Sequence, residues 1–172
     1  SGNAAEQVLS VNSLDDFAIF HASLTDPCIG PDRSGPDSTV SRAKQVLIMG
    51  AGLIGCEFAN DLTASGLQVS VVDPAARPMA TLLPQEASDE LGAALAKLGV
   101  GWHFGTTVKA VNRSPRIGPD VSQTALQVEL SNGETMLADV VLSAIGLRAD
   151  TALAQAAGLA CERGILVDPL LQ

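Results

Sequence analysis

The sequence predicts an α/β fold, a parallel sheet with helices on both faces and an antiparallel β-meander inserted into it. Three observations carry that expectation. A short apolar run from Val46 to Met49 ends at glycine, a stretch follows with Ile54, Phe58 and Leu62 at helical spacing, and a second apolar run from Val69 to Val72 ends at Asp73. Strand, helix and strand in that order make a parallel unit, whose crossover is right-handed in nearly all proteins. Between Thr107 and Leu137 the pattern changes to alternation around Asn132-Gly133, a hairpin signal rather than another helical crossover. Val140 to Ala144 then returns as a continuous apolar run, the mark of a strand covered on both faces.

In chain order, Ser13 is placed to cap a helix over Leu14 to Leu24, in which Leu14, Phe17, Phe20 and Leu24 recur at helical spacing behind the acidic Asp15 and Asp16. From Thr25 to Lys44 the composition turns to Pro, Gly, Ser and Asp with no apolar period, which predicts a mobile loop. After the β-α-β unit a helix is predicted from Pro84 to Leu98, with proline in its first turn, Leu91, Leu95 and Leu98 on one face, and Gly99 as its stop. Trp102 to Phe104 is the next parallel strand. Thr107 to Asn112, Leu126 to Leu130 and Thr135 to Leu137 form the meander. A short helix capped by Asp150 or Thr151 runs to Ala157, and a last strand is expected at Ile165 to Val167.

Composition removes several classes of function. A chain of 172 residues can bury a sizeable core. With a formal net charge of -9 and ten scattered Lys and Arg residues, it lacks the clustered cations that a nucleic-acid surface needs. Its longest apolar runs, such as Val140 to Leu142, are far below the ~18 residues that span a bilayer, so no membrane is expected. Cys28, Cys56 and Cys161 form no CxxC pair and read as a reducing, cytoplasmic setting without a disulfide framework or a metal site. His21 and His103 have no acid or nucleophile beside them in the pattern, and no residue is assigned a catalytic role. Tyrosine is absent, which excludes a short-chain dehydrogenase that moves its proton through a Tyr-x-x-x-Lys pair.

Gly50-Ala51-Gly52-Leu53-Ile54-Gly55 spells GxGxxG directly after a strand and at the start of a helix, and Asp73 closes the next strand about 20 residues on. That context is the Rossmann dinucleotide fingerprint. Gly50 lets the chain turn, Gly52 lets backbone approach a pyrophosphate, and Gly55 lets helix and strand pack closely. The helix N-terminus offers the phosphates free N–H groups and partial positive charge. Asp73 is suited to accept from the adenosine ribose hydroxyls and would repel a 2′-phosphate, which favours NADH over NADPH. Arg77 has two readings: a contact to a 2′-phosphate or adenine, or a solvated loop arginine. Glu57 likewise either points toward the nicotinamide end or sits at a helix start where negative charge is favourable. Ala144, Ile145 and Gly146 end the returning strand at the carboxyl edge, where open α/β sheets bind ligands.

Four stretches together resemble one family: VNSLDDF (Val11 to Phe17), VLIMGAGLIGCEFANDL (Val46 to Leu62), DVVLSAIGLRADT (Asp139 to Thr151) and GILVDPLLQ (Gly164 to Gln172). They are similar to the pyridine nucleotide-disulfide oxidoreductase superfamily, flavoproteins in which an NAD(P) domain is inserted into an FAD domain, and most of all to its rubredoxin reductase and ferredoxin reductase-like members. The resemblance implies that Val108 lines the adenine, that Ala144 to Gly146 and Glu57 lie near the nicotinamide, and that FAD belongs to the parent enzyme rather than to this stretch. It also implies a division into an N-terminal segment (1–12), an NAD(P)-binding domain (13–168, with the loop at about 25–44) and the start of an FAD-domain segment (169–172). The partners it implies are those FAD segments and a rubredoxin or ferredoxin-like electron acceptor. Where the family often has R-P-N-T, this chain has Arg148-Ala149-Asp150-Thr151, and its loops at 25–44 and 114–123 are longer than usual.

Read this way, the chain is the NADH-binding domain of an FAD-dependent NADH oxidoreductase, without turnover by itself. The alternatives are a Rossmann unit that holds the ADP half of FAD, and a non-catalytic sensor of the NADH/NAD ratio. One fold hosts all three functions.

Overall fold

The computed structural model describes residues 1–25, 43–115, 124–146 and 149–171. Most of the loop expected at 25–44, the 114–123 loop and Arg148 therefore lie outside the described residues. The elements are β1 (Leu9–Ser10), α1 (Leu14–Thr25), β2 (Gln45–Met49), α2 (Leu53–Ala64), β3 (Gln68–Asp73), α3 (Gln85–Leu98), β4 (Gly101–Phe104), β5 (Val108–Pro115), β6 (Thr124–Leu130), β7 (Thr135–Ala138), β8 (Val140–Ser143) and α4 (Ala152–Ala156). Five strands form a parallel sheet in the order β1-β8-β2-β3-β4, and β5-β6-β7 form a separate antiparallel sheet.

Alternation along the strands of the parallel sheet explains the layers. Val46 and Ile48 of β2, Val69 and Val71 of β3, and Val140 and Leu142 of β8 point to one face, where they meet Phe20 of α1, Cys56, Ala59 and Leu62 of α2, and Leu95 of α3. Leu47, Val72 and Val141 point to the other face and meet Val111, Leu126, Val128 and Leu130 of the meander. The expected helices on both faces are thus corrected in one respect: α1, α2 and α3 share one face, and the meander takes the other. The physical reason is that the meander carries its own apolar side at period 2, and a sheet face buries against a second sheet as well as against helices.

The N-terminal residues stitch the two sheets together. Val111 N–H donates to the Ser1 carbonyl (2.9 Å), Ala4 N–H donates to the Val111 carbonyl (3.0 Å), and Ala4 is fully buried. Leu9 and Ser10 then pair with Leu142 and Ser143 of β8.

Local signals set most boundaries. The Ser13 hydroxyl accepts from Asp16 N–H at 3.1 Å and starts α1, Gly99 at φ 111° ends α3 in the left-handed region, and the Asp150 carboxylate accepts from Ala152 N–H at 3.1 Å at the start of α4.

Three expectations change. Along α1 only Phe20 is buried, while Leu14 is 87% and Phe17 45% exposed. β1 beneath this helix is two residues long, so its first turn has no sheet to lie on. The hairpin after β6 closes over Ser131 to Glu134 rather than over two residues, with Leu130 N–H on the Glu134 carbonyl at 2.8 Å. The expected strand at Ile165 to Val167 is a single bridge from Ile165 to Cys161, because the chain turns tightly there and pairs only with itself among the described residues.

Candidate functional site

A cleft of about 540 Å³ opens at the carboxyl ends of β2, β3 and β8. The chain leaves β2 toward β3 on one side, and β8 lies on the other, so this is the point where the strand order reverses. Such switch points are where open α/β sheets bind ligands. Of the residues singled out from sequence, Gly50, Gly52, Leu53, Ile54, Asp73, Val108, Ala144, Ile145 and Gly146 line it. Met49, Val72, Pro74 and Thr107 also line it and were not foreseen. The first three are chain neighbours of Gly50 and Asp73, so adjacency was a usable signal. Thr107 adjoins Val108 in the same way, and the fold fixes its place: its N–H donates to the Ser131 hydroxyl at 3.0 Å, across the meander hairpin.

The three glycines do three different things. Gly50 sits at φ 104°, and a Cβ there would lie 2.6 Å from the Ala144 carbonyl oxygen, so the turn crosses the end of β8 at backbone contact distance. A Cβ on Gly55 would lie 1.9 Å from the Gly50 carbonyl oxygen, which is how closely α2 approaches the turn. A Cβ on Gly52 would meet nothing within 4 Å. Its open face is toward the cleft.

α2 starts at this point, and no side chain caps its N-terminal N–H groups. The first N–H groups of a helix lack intrahelical partners and carry partial positive charge. Asp73 lies opposite: its carboxylate accepts from Ala51 N–H at 2.6 Å through one oxygen and from Ala75 N–H at 2.7 Å through the other. This acid therefore ties the glycine turn to the loop after β3, and each oxygen retains a lone pair for a further donor. Leu53 and Ile54, 51% and 49% exposed, add apolar surface at the mouth. Exposed N–H groups, a fixed carboxylate and apolar walls fit an anionic ligand that carries hydroxyls and flat rings.

Four of the residues foreseen stand outside the lining of the cleft: Gly55, buried against the turn as described, and Ala51, Glu57 and Arg77. Ala51 is buried beneath the turn, where its carbonyl accepts Met79 N–H at 2.7 Å. Glu57 is exposed on a groove between α2 and α3, with Asn60 and Asp61, outside the cleft. Arg77 folds back on its own loop and donates through Nη2 to the carbonyls of Ala80 (3.3 Å) and Leu83 (3.4 Å). The described residues contain no group of three or more His, Cys, Asp or Glu side chains that could hold a metal ion. Nor is any described helix long and apolar enough to cross a membrane.

Cys56 lies directly under the turn, its thiol aimed at the Ala51 carbonyl at 3.5 Å. Burial first and the negative charge of Asp73 second push its pKa from 9.0 up to about 11. At pH 8 its thiolate is then about 100-fold rarer than for a thiol at the ordinary value. A thiol-directed reagent at that pH should leave Cys56 unmodified in the folded chain, as peptide mapping would show. The folded thiol keeps its proton between about pH 9 and 11 while the unfolded one loses it, so this group contributes stability that is present below pH 9 and lost as pH rises through 11.

The chain matches the family model described as pyridine nucleotide-disulphide oxidoreductase over residues 1–172. It is 45% identical to a rubredoxin-NAD(+) reductase from Alcanivorax borkumensis over 171 residues, which is 99% of this chain and 39% of that protein. It is 39% identical to a nitric oxide reductase FlRd-NAD(+) reductase from Aeromonas salmonicida over 168 residues, 98% of this chain and 37% of that protein. The chain thus spans well under half the length of these relatives. Among solved structures it resembles the ferredoxin reductase for the CYP199A2 system from Rhodopseudomonas palustris at a TM-score of 0.74 and 30% identity, covering 97% of this chain and 36% of that one. A putidaredoxin reductase–putidaredoxin complex shares the fold, at a TM-score of 0.70 and 24% identity over 98% of this chain and 35% of that one. Matched by that family model from residue 1 to residue 172, the chain belongs to the pyridine nucleotide-disulphide oxidoreductase family.

Proposed function

We propose that this chain is the NADH-binding domain of an FAD-dependent NADH oxidoreductase that passes electrons to rubredoxin or a ferredoxin-like carrier. One observation carries the reading: a single cleft brings together the open face of Gly52, the uncapped start of α2 and the Asp73 carboxylate. The α2 N–H groups and Gly52 hold the pyrophosphate, Asp73 the adenosine ribose, Val108 the adenine, and Ala144 to Gly146 the nicotinamide half. When bound, the nicotinamide supplies a hydride. The chain's own residues bind and orient, and offer no nucleophile or proton-transfer pair.

NADH is preferred over NADPH because a 2′-phosphate would be placed beside the Asp73 carboxylate. FAD is held outside the residues that line this cleft, so the domain of 13–168 alone has no turnover. The curated relatives named rubredoxin-NAD(+) reductase support the choice of acceptor.

Calorimetric titration with NADH, NADPH and FAD tests the reading. The expected result is saturable binding of NADH, weaker binding of NADPH and none of FAD, with Asp73→Ala weakening NADH by about tenfold or more, the effect of losing charge-assisted hydrogen bonds of about 1.5–3 kcal/mol. FAD binding in place of NADH, or no binding by any of the three, would reject it.

A further inference from the structure

The loop between β3 and α3 does more than connect them. It returns from Asp73 to the glycine turn, where Met79 N–H meets the Ala51 carbonyl at 2.7 Å. Met79 holds φ 50°, in the left-handed region that a long side chain enters only when its surroundings require it. Two contacts on either side account for that. Before it, Pro78 is fully buried and its carbonyl accepts the hydroxyl of Ser88, a buried residue in the first turns of α3. After it, Leu82 and Leu83 N–H close onto the Met79 carbonyl at 2.8 and 3.0 Å, and Arg77 reaches over the same turn to the carbonyls of Ala80 and Leu83.

Arg77 therefore spans the loop that it belongs to. It is half-buried, its Nε is buried, and among the described residues it makes no ion pair with a carboxylate. A guanidinium is suited to this task, since its planar fork offers several donors at fixed angles to carbonyls on one turn. It does not line the cleft. To reach a 2′-phosphate there it would have to give up both carbonyls.

We propose that Arg77 is a positioning residue: it clamps the 74–83 loop so that Met79 N–H stays on the Ala51 carbonyl, and through that bond sets the glycine turn on which the dinucleotide rests, without touching the cofactor. The proposal rests on the reading of the cleft as the NADH site. An arginine that reads a 2′-phosphate acts on NADPH alone. One that sets the turn acts on every dinucleotide equally.

Arg77→Met, of similar length and without donors, is compared with the unmodified chain by calorimetric titration of NADH and NADPH and by amide hydrogen exchange. The expected result is a loss of affinity of about five- to twentyfold, equal for the two nucleotides, together with at least tenfold faster exchange at Met79 and unchanged exchange in β5 to β7. A loss confined to NADPH would assign Arg77 to the phosphate and overturn the proposal, as would unchanged exchange at Met79. If Arg77→Met does not fold, Ser88→Ala loosens the same loop from its other side. It should produce the same equal loss, of about two- to fivefold, with the same local exchange; failure to do so would also overturn the proposal. Should the unmodified chain bind neither nucleotide, the reading of the cleft fails, and exchange at Met79 alone then decides whether the clamp exists.

Discussion

Gly55→Ala is expected to abolish NADH binding and to lower stability by about 3 kcal/mol or more, near the upper end of what overpacking costs. The added Cβ would sit 1.9 Å from the carbonyl oxygen and 3.0 Å from the carbonyl carbon of Gly50. Both atoms are backbone, so no side chain can swing aside. Either α2 retreats from β2, which opens the packing of Cys56 and Ala59 against the sheet, or the turn itself moves. Each outcome displaces the start of α2 from the cleft. Gly52→Ala is the matched control: its Cβ has nothing within 4 Å, so the fold should be retained while affinity falls, because the methyl group occupies the open face on which we propose that the pyrophosphate rests. Thermal melts with NADH titrations of the two variants distinguish a glycine needed for packing from one needed for contact. If Gly55→Ala melted with the unmodified chain and bound NADH normally, the close approach of α2 to the turn would be wrong.

That contrast also shows what sequence alone can reveal. The turn at Gly50 and the close approach at Gly55 were legible because each is a local property encoded within six residues. The β2-α2-β3 unit was legible for the same reason, since periods of 2 and 3.6 alternate along one continuous stretch. The side of the sheet that the meander would cover was not, because a period-2 strand is equally consistent with a helix or a second sheet above it. Nor was the path of the first residues, whose partners on β5 lie more than 100 positions away, as in Asn3 N–H to the Asn112 side chain. Arg77 illustrates the limit within a site. Its position four residues after Asp73 suggested the cofactor, and only the fold of the loop shows the guanidinium turned onto Ala80 and Leu83.

Lys44 illustrates the same limit in the core, and its removal is the second large effect expected. The side chain is 6% exposed, and its ammonium donates to the carbonyls of Ser23 and Leu24, both at 2.8 Å, in the last turn of α1. Those carbonyls end a helix, where unpaired acceptors and partial negative charge collect, and a lysine from the start of the next strand satisfies both. In sequence Lys44 sits at the far edge of a polar stretch and looks like a solvated loop residue. In the fold it joins the end of α1 to β2, and its own carbonyl accepts Gln68 N–H at 2.9 Å at the start of β3.

Lys44→Met keeps the aliphatic stem and removes the donors. Since a hydrogen bond to a charged group contributes roughly 1.5–3 kcal/mol, and two half-buried carbonyls would be stranded, the variant should lose about 2–3 kcal/mol, which for a chain of this size lowers the thermal midpoint by roughly 5–10 °C. NADH affinity should change by less than about threefold. Among the described residues α1 joins this core through Phe20, which packs edge-on against Phe58 of α2 at 5.4 Å, and through Leu24, and no cleft residue comes from α1. The two variants therefore differ in kind: Gly55→Ala removes binding together with stability, whereas Lys44→Met removes stability and leaves the site. A large loss of NADH affinity in Lys44→Met, measured well below its melting temperature, would mean that α1 is coupled to the glycine turn more tightly than the packing of Phe20 and Leu24 allows. Loss of under 0.5 kcal/mol would mean that water replaces the ammonium at the end of α1.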